Sequence, residues 1–538
     1  MKKTLAMLIT LTLAMGMMMP ALAEVTYPLV KDGEEITFDV VWGKAATSKP
    51  IADMKVVKDV QDISGVKLNV IEIADDGFAE KRNLMIASGD LPDIFMEGIG
   101  SQEIINYKDQ GIFIPVTNLI ENYMPNLKSI LDTHPEYKAA MVAPDGEIWG
   151  FPYIEEMFGL VCNQGILSIN KDWLDKLGLQ MPTTIDEFKQ CLIAFRDGDP
   201  NGNGIKDELP FLFRIGESKI GAWRNNQSIG QFFGCWGQAD TGDRLFVNDG
   251  QIISTATTDA YKEGLKWFNE LWNEGLLDPA MALNDEPGYR AKLNTEDVTV
   301  GAVMHFSIVD VIPKDRRAQY VAVPYLKGPG GEFGCKDNIS EMHQVVNAAI
   351  TTACEHPEIA ASLIDLFYAP QRSVESNWGA IGEYYQIDDK GVMQWVDKLP
   401  EGFDTYNALR TYTTPTRPAI VLKEYYDTVV AYPEDAGDLY NDMRTVGFVD
   451  KHLQDPIVPP NMWYDPADQE EMNLIAPQIY NLIDNYNATA ITDGNVDETW
   501  DAYMQSLKDA GIDKYLEIVQ KTYNAYALQL DKFVAGTK

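Results

Sequence analysis

The feature that most narrows the fold is an alternation of strand and helix near the start of the chain. Residues 36–42 (ITFDVVW) are β-branched and aromatic and read as a strand. Ile51, Met54, Val57 and Val60 then fall at helical spacing, Gly65 stops that helix, and residues 66–73 read as a second strand. A helical segment at 78–87 leads into a sharp turn, Ser88-Gly89-Asp90-Leu91-Pro92, and a third short strand. Alternation of this kind implies an α/β fold in which helices cover the faces of a parallel sheet. Further along, Asp145-Gly146 is a hairpin-turn signal between two short strands. Tyr261, Leu265, Phe268, Leu271, Trp272 and Leu276 make an apolar helical face closed by Gly275 and Pro279, with Trp267 and Trp272 as packing residues. Residues 326–333 (LKGPGGEF) form the clearest linker, because clustered glycines and a proline continue neither a helix nor a central strand. A strand at 345–352, a helix at 356–367 and amphipathic helices at 499–508 and 513–533 follow.

Residues 170–210 carry the strongest chemical signal. After two short helices comes the loop DPNGNGIKDE at 199–208, in which the oxygen side chains of Asp199, Asn201, Asn203 and Asp207 recur at alternate positions. Gly202 and Gly204 let the backbone wrap around one point. Calcium takes six to eight oxygens from carboxylates, amides and main-chain carbonyls, so the expected ligands are the side chains of Asp199, Asn201, Asn203 and Asp207 with the Ile205 carbonyl. The loop departs from an EF-hand, because no Glu closes the site at the twelfth position, and a single such loop reads as structural. The bland alternative is a series of Asx turns with no metal.

The same stretch, with WLDKLGL at 173–179, Pro182 and TIDEF at 184–188, resembles the family 1 extracellular solute-binding proteins of bacterial ABC importers, specifically the oligosaccharide- and alginate-binding group. In that group the loop binds calcium, and the resemblance implies Asp199, Asn201, Asn203, Ile205, Asp207 and Glu208 as the matching positions. IASGDLPDIF (86–95), GIFIPVT (111–117), APDGEIWGFP (143–152) and KEGLKWFNELWNEGLLDP (262–279) carry the likeness over nearly the whole chain. Gly379, Gly382 and Tyr385 fit the pattern, but Ile381 replaces the glutamate usual between the glycines. The resemblance implies a two-lobed periplasmic-binding-protein-like fold of type II, with discontinuous lobes joined by a hinge. The expected lobes are 24–155 plus 345–380, and 156–344 plus 381–538.

Residues 1–23 read as an export signal: Lys2 and Lys3, an apolar run to Met19, and Ala21-Leu22-Ala23 before Glu24. The first cysteine is Cys162, so the lipid-modified cysteine of many relatives is missing, and a free periplasmic or extracellular protein is expected. No direct membrane insertion is expected after cleavage. The balance of 44 basic against 81 acidic residues excludes nucleic acid and anionic lipid, which need basic patches. The five cysteines, Cys162, Cys191, Cys235, Cys335 and Cys354, are too sparse for a disulfide scaffold. One or two disulfides stay open; mostly buried, unpaired thiols are expected.

The five histidines are scattered, and no HExxH, GxSxG, Walker or GxGxxG motif occurs. An enzyme would have to be a glycosidase or lyase using a carboxylate pair, with Glu155 and Glu156 as first candidates. Against it, adjacent residues of an extended chain point to opposite sides, so no enzyme is expected. A sugar receptor needs aromatic planes for stacking and a few planar polar groups. The picks are Trp42, at the carboxyl end of the first strand, with Glu155, Trp223, Arg224, Trp236, Trp378 and Tyr385; core packing or a solvated charge is about as good an account of each. The expected function is capture of a carbohydrate, an oligosaccharide above all, by lobe closure, with delivery by a monomer to a membrane permease. A glycan-cleaving enzyme and a receptor for a peptide or other polar solute are the alternatives.

Overall fold

The computed structural model describes residues 25–31, 33–156, 166–215, 229–305, 311–313, 315–335, 344–389, 393–396, 399–403, 406–422, 424–425, 453–454 and 462–536. The expected export signal, Cys162, Trp223 and Arg224 lie outside them.

Two larger sheets organise these residues; one hydrophobic cluster holds the first sheet together with Ile166, Leu212, Val300, Val303 and Tyr320 of the second, and another packs on other side chains of the second sheet. In the first sheet, Thr37–Lys44 runs parallel to Lys67–Ala74 on one side and to Ile94–Phe95 on the other. Gln344–Ile350 pairs antiparallel with both Ile94–Phe95 and Phe151–Glu155, and Ala419–Val421 runs parallel to Phe151–Glu155. The sheet is therefore mixed, not parallel throughout. Its parallel part is the strand-helix-strand alternation; Gln344–Ile350 enters from the second sheet, so no crossover helix sets its direction. Helix Lys55–Ser64 buries Val56, Val57 and Val60 on this sheet, and Gly65, in the left-handed region at φ 72°, ends it by donating to the Gln61 carbonyl.

The second sheet runs Tyr320–Ala322, Ile166–Asn170, Val300–His305, Leu209–Leu212. Helix Ile185–Gly198 starts with a capping box, Thr184 accepting from Glu187 N and Glu187 accepting from Thr184 N. Its Phe188 meets Phe211 edge-on at 5.4 Å, while Phe232 stacks on Trp267 at 5.6 Å. Trp267 is buried and Trp272 packs partly buried against the same core, so both are packing residues.

The chain leaves the first sheet after Glu155, enters the second at Ile166, and rejoins the first at Gln344. The expected exit at 380 is displaced. Ala419–Val421 still pairs with Phe151–Glu155, Lys49 N donates to the Tyr412 carbonyl at 3.0 Å, and Trp42 Nε1 donates to the Arg417 carbonyl at 3.0 Å. Residues 406–421 thus sit with the first sheet, through a three-residue strand too short for any periodicity.

The 326–333 segment is no free linker. A Cβ on Gly330 would lie 2.3 Å from the Trp236 carbonyl carbon and one on Gly328 would lie 2.5 Å from Cys235 Cβ, so these glycines permit close packing on the 229–236 turn. Cys191, Cys235 and Cys354 are free thiols.

A 28-residue helix, Pro466–Asp493, with Pro477 inside it, precedes Val496–Asp509 and Ile512–Gly536. The last helix touches both halves. Gln520 accepts from Ile252 N at 2.7 Å, and near the other end Lys138 Nζ lies 5.5 Å from the Phe533 ring centroid. No helix among the described residues is long and apolar enough to cross a membrane.

Candidate functional site

The parallel strands of the first sheet end together at Lys44, Ala74, Phe95, Glu155 and Val421, the edge where open α/β sheets place ligands. Polar side chains crowd this edge. Glu97, two residues past the strand end, lies over Gly43; a Cβ there would stand 1.7 Å from Glu97 Oε1, so only glycine leaves room for the carboxylate. Burial pushes the Glu97 carboxyl above the usual range, against the pull of Arg417, and neighbouring Asp75 adds to the rise. The Arg417 guanidinium is 3.6 Å from Glu97 and 5.3 Å from the Tyr153 ring centroid.

Beside this pair, Asn377 donates from its amide to Glu155, which is 1 % exposed at the end of its strand. The Asn377 carbonyls, main-chain and side-chain, both accept from Arg410. The Arg410 guanidinium also covers one face of Trp378 at 4.6 Å, holding that half-buried indole in place. Four buried polar atoms here have no hydrogen-bond partner among the described residues: Gln344 Oε1, Asn347 Oδ1, Ser376 Oγ and Arg417 Nε. Gln344 sits opposite Tyr153 in the sheet, Asn347 donates to the Met96 carbonyl next to Glu97, and Ser376 accepts at its carbonyl from Thr416 N next to Arg417. Their segments therefore meet at this edge of the sheet. A buried polar atom without a partner costs about 1–3 kcal/mol, and a hydroxylated ligand offers donors and acceptors for all four.

The picks made from sequence fare unevenly. Glu155 and Trp378 meet at this edge. Trp42 does not face it: the indole is 0 % exposed, edge-on to Phe367 at 5.9 Å, and is a core residue. Position in the sequence placed it at the strand end, but side chains alternate and this one turns inward. Trp236 packs against Trp267 at 6.0 Å in the second core. The Tyr385 backbone forms a hairpin with Met393–Trp395, and its side chain is outside the description. Glu97, Asn347, Ser376, Asn377, Arg410 and Arg417 were missed. Only Glu97 carried a signal, its place just past a predicted strand.

Glu155 and Glu156 diverge as adjacent strand residues do, Glu155 to Asn377 and Glu156 to the Tyr137 hydroxyl, so they do not flank one bond. A cavity of about 240 Å³ lies elsewhere, between helices Pro135–Met141 and Ile512–Gly536, walled mainly by Ala140, Val142, Met462, Trp463 and Tyr526. Its walls are mostly apolar, with Thr522, Gln529 and Lys532 as the polar side chains, whereas a sugar needs several convergent polar groups.

The 199–208 loop folds on itself. Asp199 at φ 46°, Gly202 and Gly204 take the left-handed region that wraps it. Asp199, Asn201 and Asn203 accept from backbone N–H groups within the loop, and the Asn201 and Asn203 amides both donate to Asp207, at 3.0 and 3.1 Å. No group of three His, Cys, Asp or Glu side chains among the described residues has metal-holding geometry. Two observations still fit a cation. Glu208 Oε1 is buried without a partner among the described residues, and the Glu208 carboxyl is raised by burial and by the charges of Asp207 and Asp199, a surplus of negative charge that a cation would relieve.

Comparison with known proteins bears on both places. The sequence pattern of the bacterial extracellular solute-binding proteins matches residues 46–372. The fructooligosaccharide ABC transporter substrate-binding protein FusA of Streptococcus pneumoniae serotype 4 is 34% identical over 516 residues, 93% of this chain and 92% of that protein. Its structure in complex with kestose gives a TM-score of 0.75 at 33% identity, covering 91% of this chain and 99% of that one. An EF-hand mutant of the same protein, in complex with fructo-nystose, gives 0.74 at 33% identity over the same shares. An extracellular solute-binding protein from Bifidobacterium longum subsp. infantis gives 0.79 at 24% identity, over 92% of this chain and 99% of that one, a likeness of fold.

Proposed function

The chain belongs to the bacterial extracellular solute-binding proteins, and from that premise we propose that it is the substrate-binding component of an ABC importer. It captures an oligosaccharide at the carboxyl edge of its first sheet and hands it to a membrane permease. The observation that carries the reading is the set of four buried polar atoms without partners among the described residues, Gln344 Oε1, Asn347 Oδ1, Ser376 Oγ and Arg417 Nε, on the segments that bring Glu97 and the Arg410-supported Trp378 to this edge. Sugars present apolar faces edged with hydroxyls. Trp378 offers a stacking plane, and Glu97, Gln344 and Asn347 accept hydroxyl protons while Arg417 donates. The second lobe closes over the ligand by hinge bending, and closure reports occupancy to the permease. No bond is broken, because Glu155 and Glu156 serve different neighbours.

Calcium belongs to the same reading. Asp199, Asn201, Asn203, the Ile205 carbonyl, Asp207 and Glu208 would hold it; the orphaned Glu208 oxygen supports this, as does the EF-hand of FusA. The ion would supply structural cross-linking far from the sugar. Residues 1–23 read as an export signal, so the mature chain works outside the cytoplasm.

A thermal-shift screen of the chain against neutral oligosaccharides, uronate oligomers and short peptides, with analysis of every incubation for products, tests this. A saturable rise with a saccharide recovered intact is expected. Cleavage of the glycan, or a shift with peptides alone, would overturn it.

A further inference from the structure

Resting on the carbohydrate reading, we propose that Glu97 is the specificity-determining group of the site: it accepts hydroxyl protons from a neutral saccharide and turns away saccharides that carry a carboxylate. Three observations lead there. Glu97 is held at one position, because the carboxylate fills the space over Gly43 and the side chain is only 13% exposed. Its surroundings are acidic: Asp75 lies over the same glycine, its Oδ1 3.3 Å from where a Gly43 Cβ would stand, and its charge raises Glu97.

The cations present are committed. Arg410 is engaged by Asn377 and Trp378. Arg417 faces Glu97 itself and keeps one buried nitrogen, Nε, without a partner among the described residues. Lys44 pairs with Glu72 at 3.7 Å, and Lys49 with Glu383 at 3.8 Å. A uronate carboxylate arriving here would face the Glu97 carboxylate and have to share Arg417 with it, and this like-charge juxtaposition disfavours an acidic sugar. A hydroxyl meets the reverse. It donates to Glu97 and accepts from Arg417 Nε, while the wholly buried Asn347 and Ser376 supply further groups without partners among the described residues. Hydrogen bonds to charged groups are the strong ones, so Glu97 adds affinity for neutral sugars through the same charge that excludes acidic ones.

The test is calorimetric titration of the full chain, with calcium present, using kestose, maltotriose and trigalacturonate as probes, on the parent, Glu97→Gln and Glu97→Ala. The glutamine keeps the shape over Gly43 and controls for folding, which a melting curve checks. The parent is expected to bind a neutral trisaccharide and to bind trigalacturonate at least about 100-fold more weakly. Glu97→Gln is expected to lower neutral-sugar affinity about 10- to 100-fold and to shrink the gap to trigalacturonate, a change in ratio that loss of structure would not produce. Trigalacturonate bound by the parent as tightly as a neutral sugar would overturn the assignment and leave carbohydrate capture standing. An unchanged ratio in Glu97→Gln would also overturn it. If the parent binds none of the three saccharides, the carbohydrate reading falls and the assignment with it.

Discussion

Asp365 offers a sharp test of how the returning segment is locked to the first lobe. Its carboxylate accepts from Leu127 N at 2.9 Å, Asn126 N at 3.1 Å and Asn126 Nδ2 at 2.8 Å, capping helix Pro125–Thr133 from the far side of the sequence. Yet burial outweighs these bonds and raises its pKa from 3.8 to about 6. Tyr27 and Tyr368, both raised partly by its charge, share the site. A carboxyl whose folded pKa is raised binds its proton more tightly folded than unfolded. Its stabilising effect is therefore full below 3.8 and is lost as pH rises through about 6. Linkage puts the cost of ionising the group at about 1 kcal/mol near pH 4.5 and about 3 kcal/mol near pH 7. Asp365→Asn cannot ionise, so relative to the parent it should gain about 2 kcal/mol over that interval, whatever its cost at the acid end. Urea unfolding at both pH values measures the difference, and hydrogen exchange over residues 125–133 assigns it to this lobe rather than to the whole chain. Parallel pH profiles for parent and variant would refute the account of a carboxylate held against its burial.

Three further outcomes are expected. Trp378→Ala should weaken saccharide binding at least about tenfold, while Trp42→Ala should cost about 3–5 kcal/mol in urea unfolding, since one indole is half-buried at the edge and the other is wholly in the core; the opposite pattern would reverse the two roles. Calcium at about a hundred times its dissociation constant should stabilise the metal-stripped chain by about 2.7 kcal/mol and Asp199→Ala by far less, as melting curves with and without chelator would read; a stripped parent indifferent to calcium would exclude the site. Gly330→Ala should cost about 1–3 kcal/mol by the same unfolding assay, because its Cβ meets backbone at 2.3 Å that cannot swing away; an unchanged midpoint would mean the 326–333 segment is as free as its composition suggests.

How much of this was legible in the sequence follows from the range of the interactions. The helix Lys55–Ser64 and its Gly65 stop, the Thr184–Glu187 box and the left-handed glycines of the 199–208 loop are local, and spacing alone finds them. The long helix Pro466–Asp493 was missed because Pro477 interrupts its pattern, which tertiary packing overrides. Ala419–Val421 was missed because three residues carry no period. The site is harder still. Glu97, Asn347, Ser376 and Arg417 come from four separate segments, and what joins them is sheet order, which no window of sequence contains. Trp42 failed for a smaller reason: one residue along a strand exchanges ligand edge for core.

The measurement that tests the central claim most directly is a crystal structure of the chain grown with kestose and calcium. The account predicts a saccharide ring stacked on Trp378, with its hydroxyls on Glu97, Asn347 and Arg417. Saccharide seated instead in the cavity beside helix Ile512–Gly536, with the Glu97 edge untouched, would contradict it.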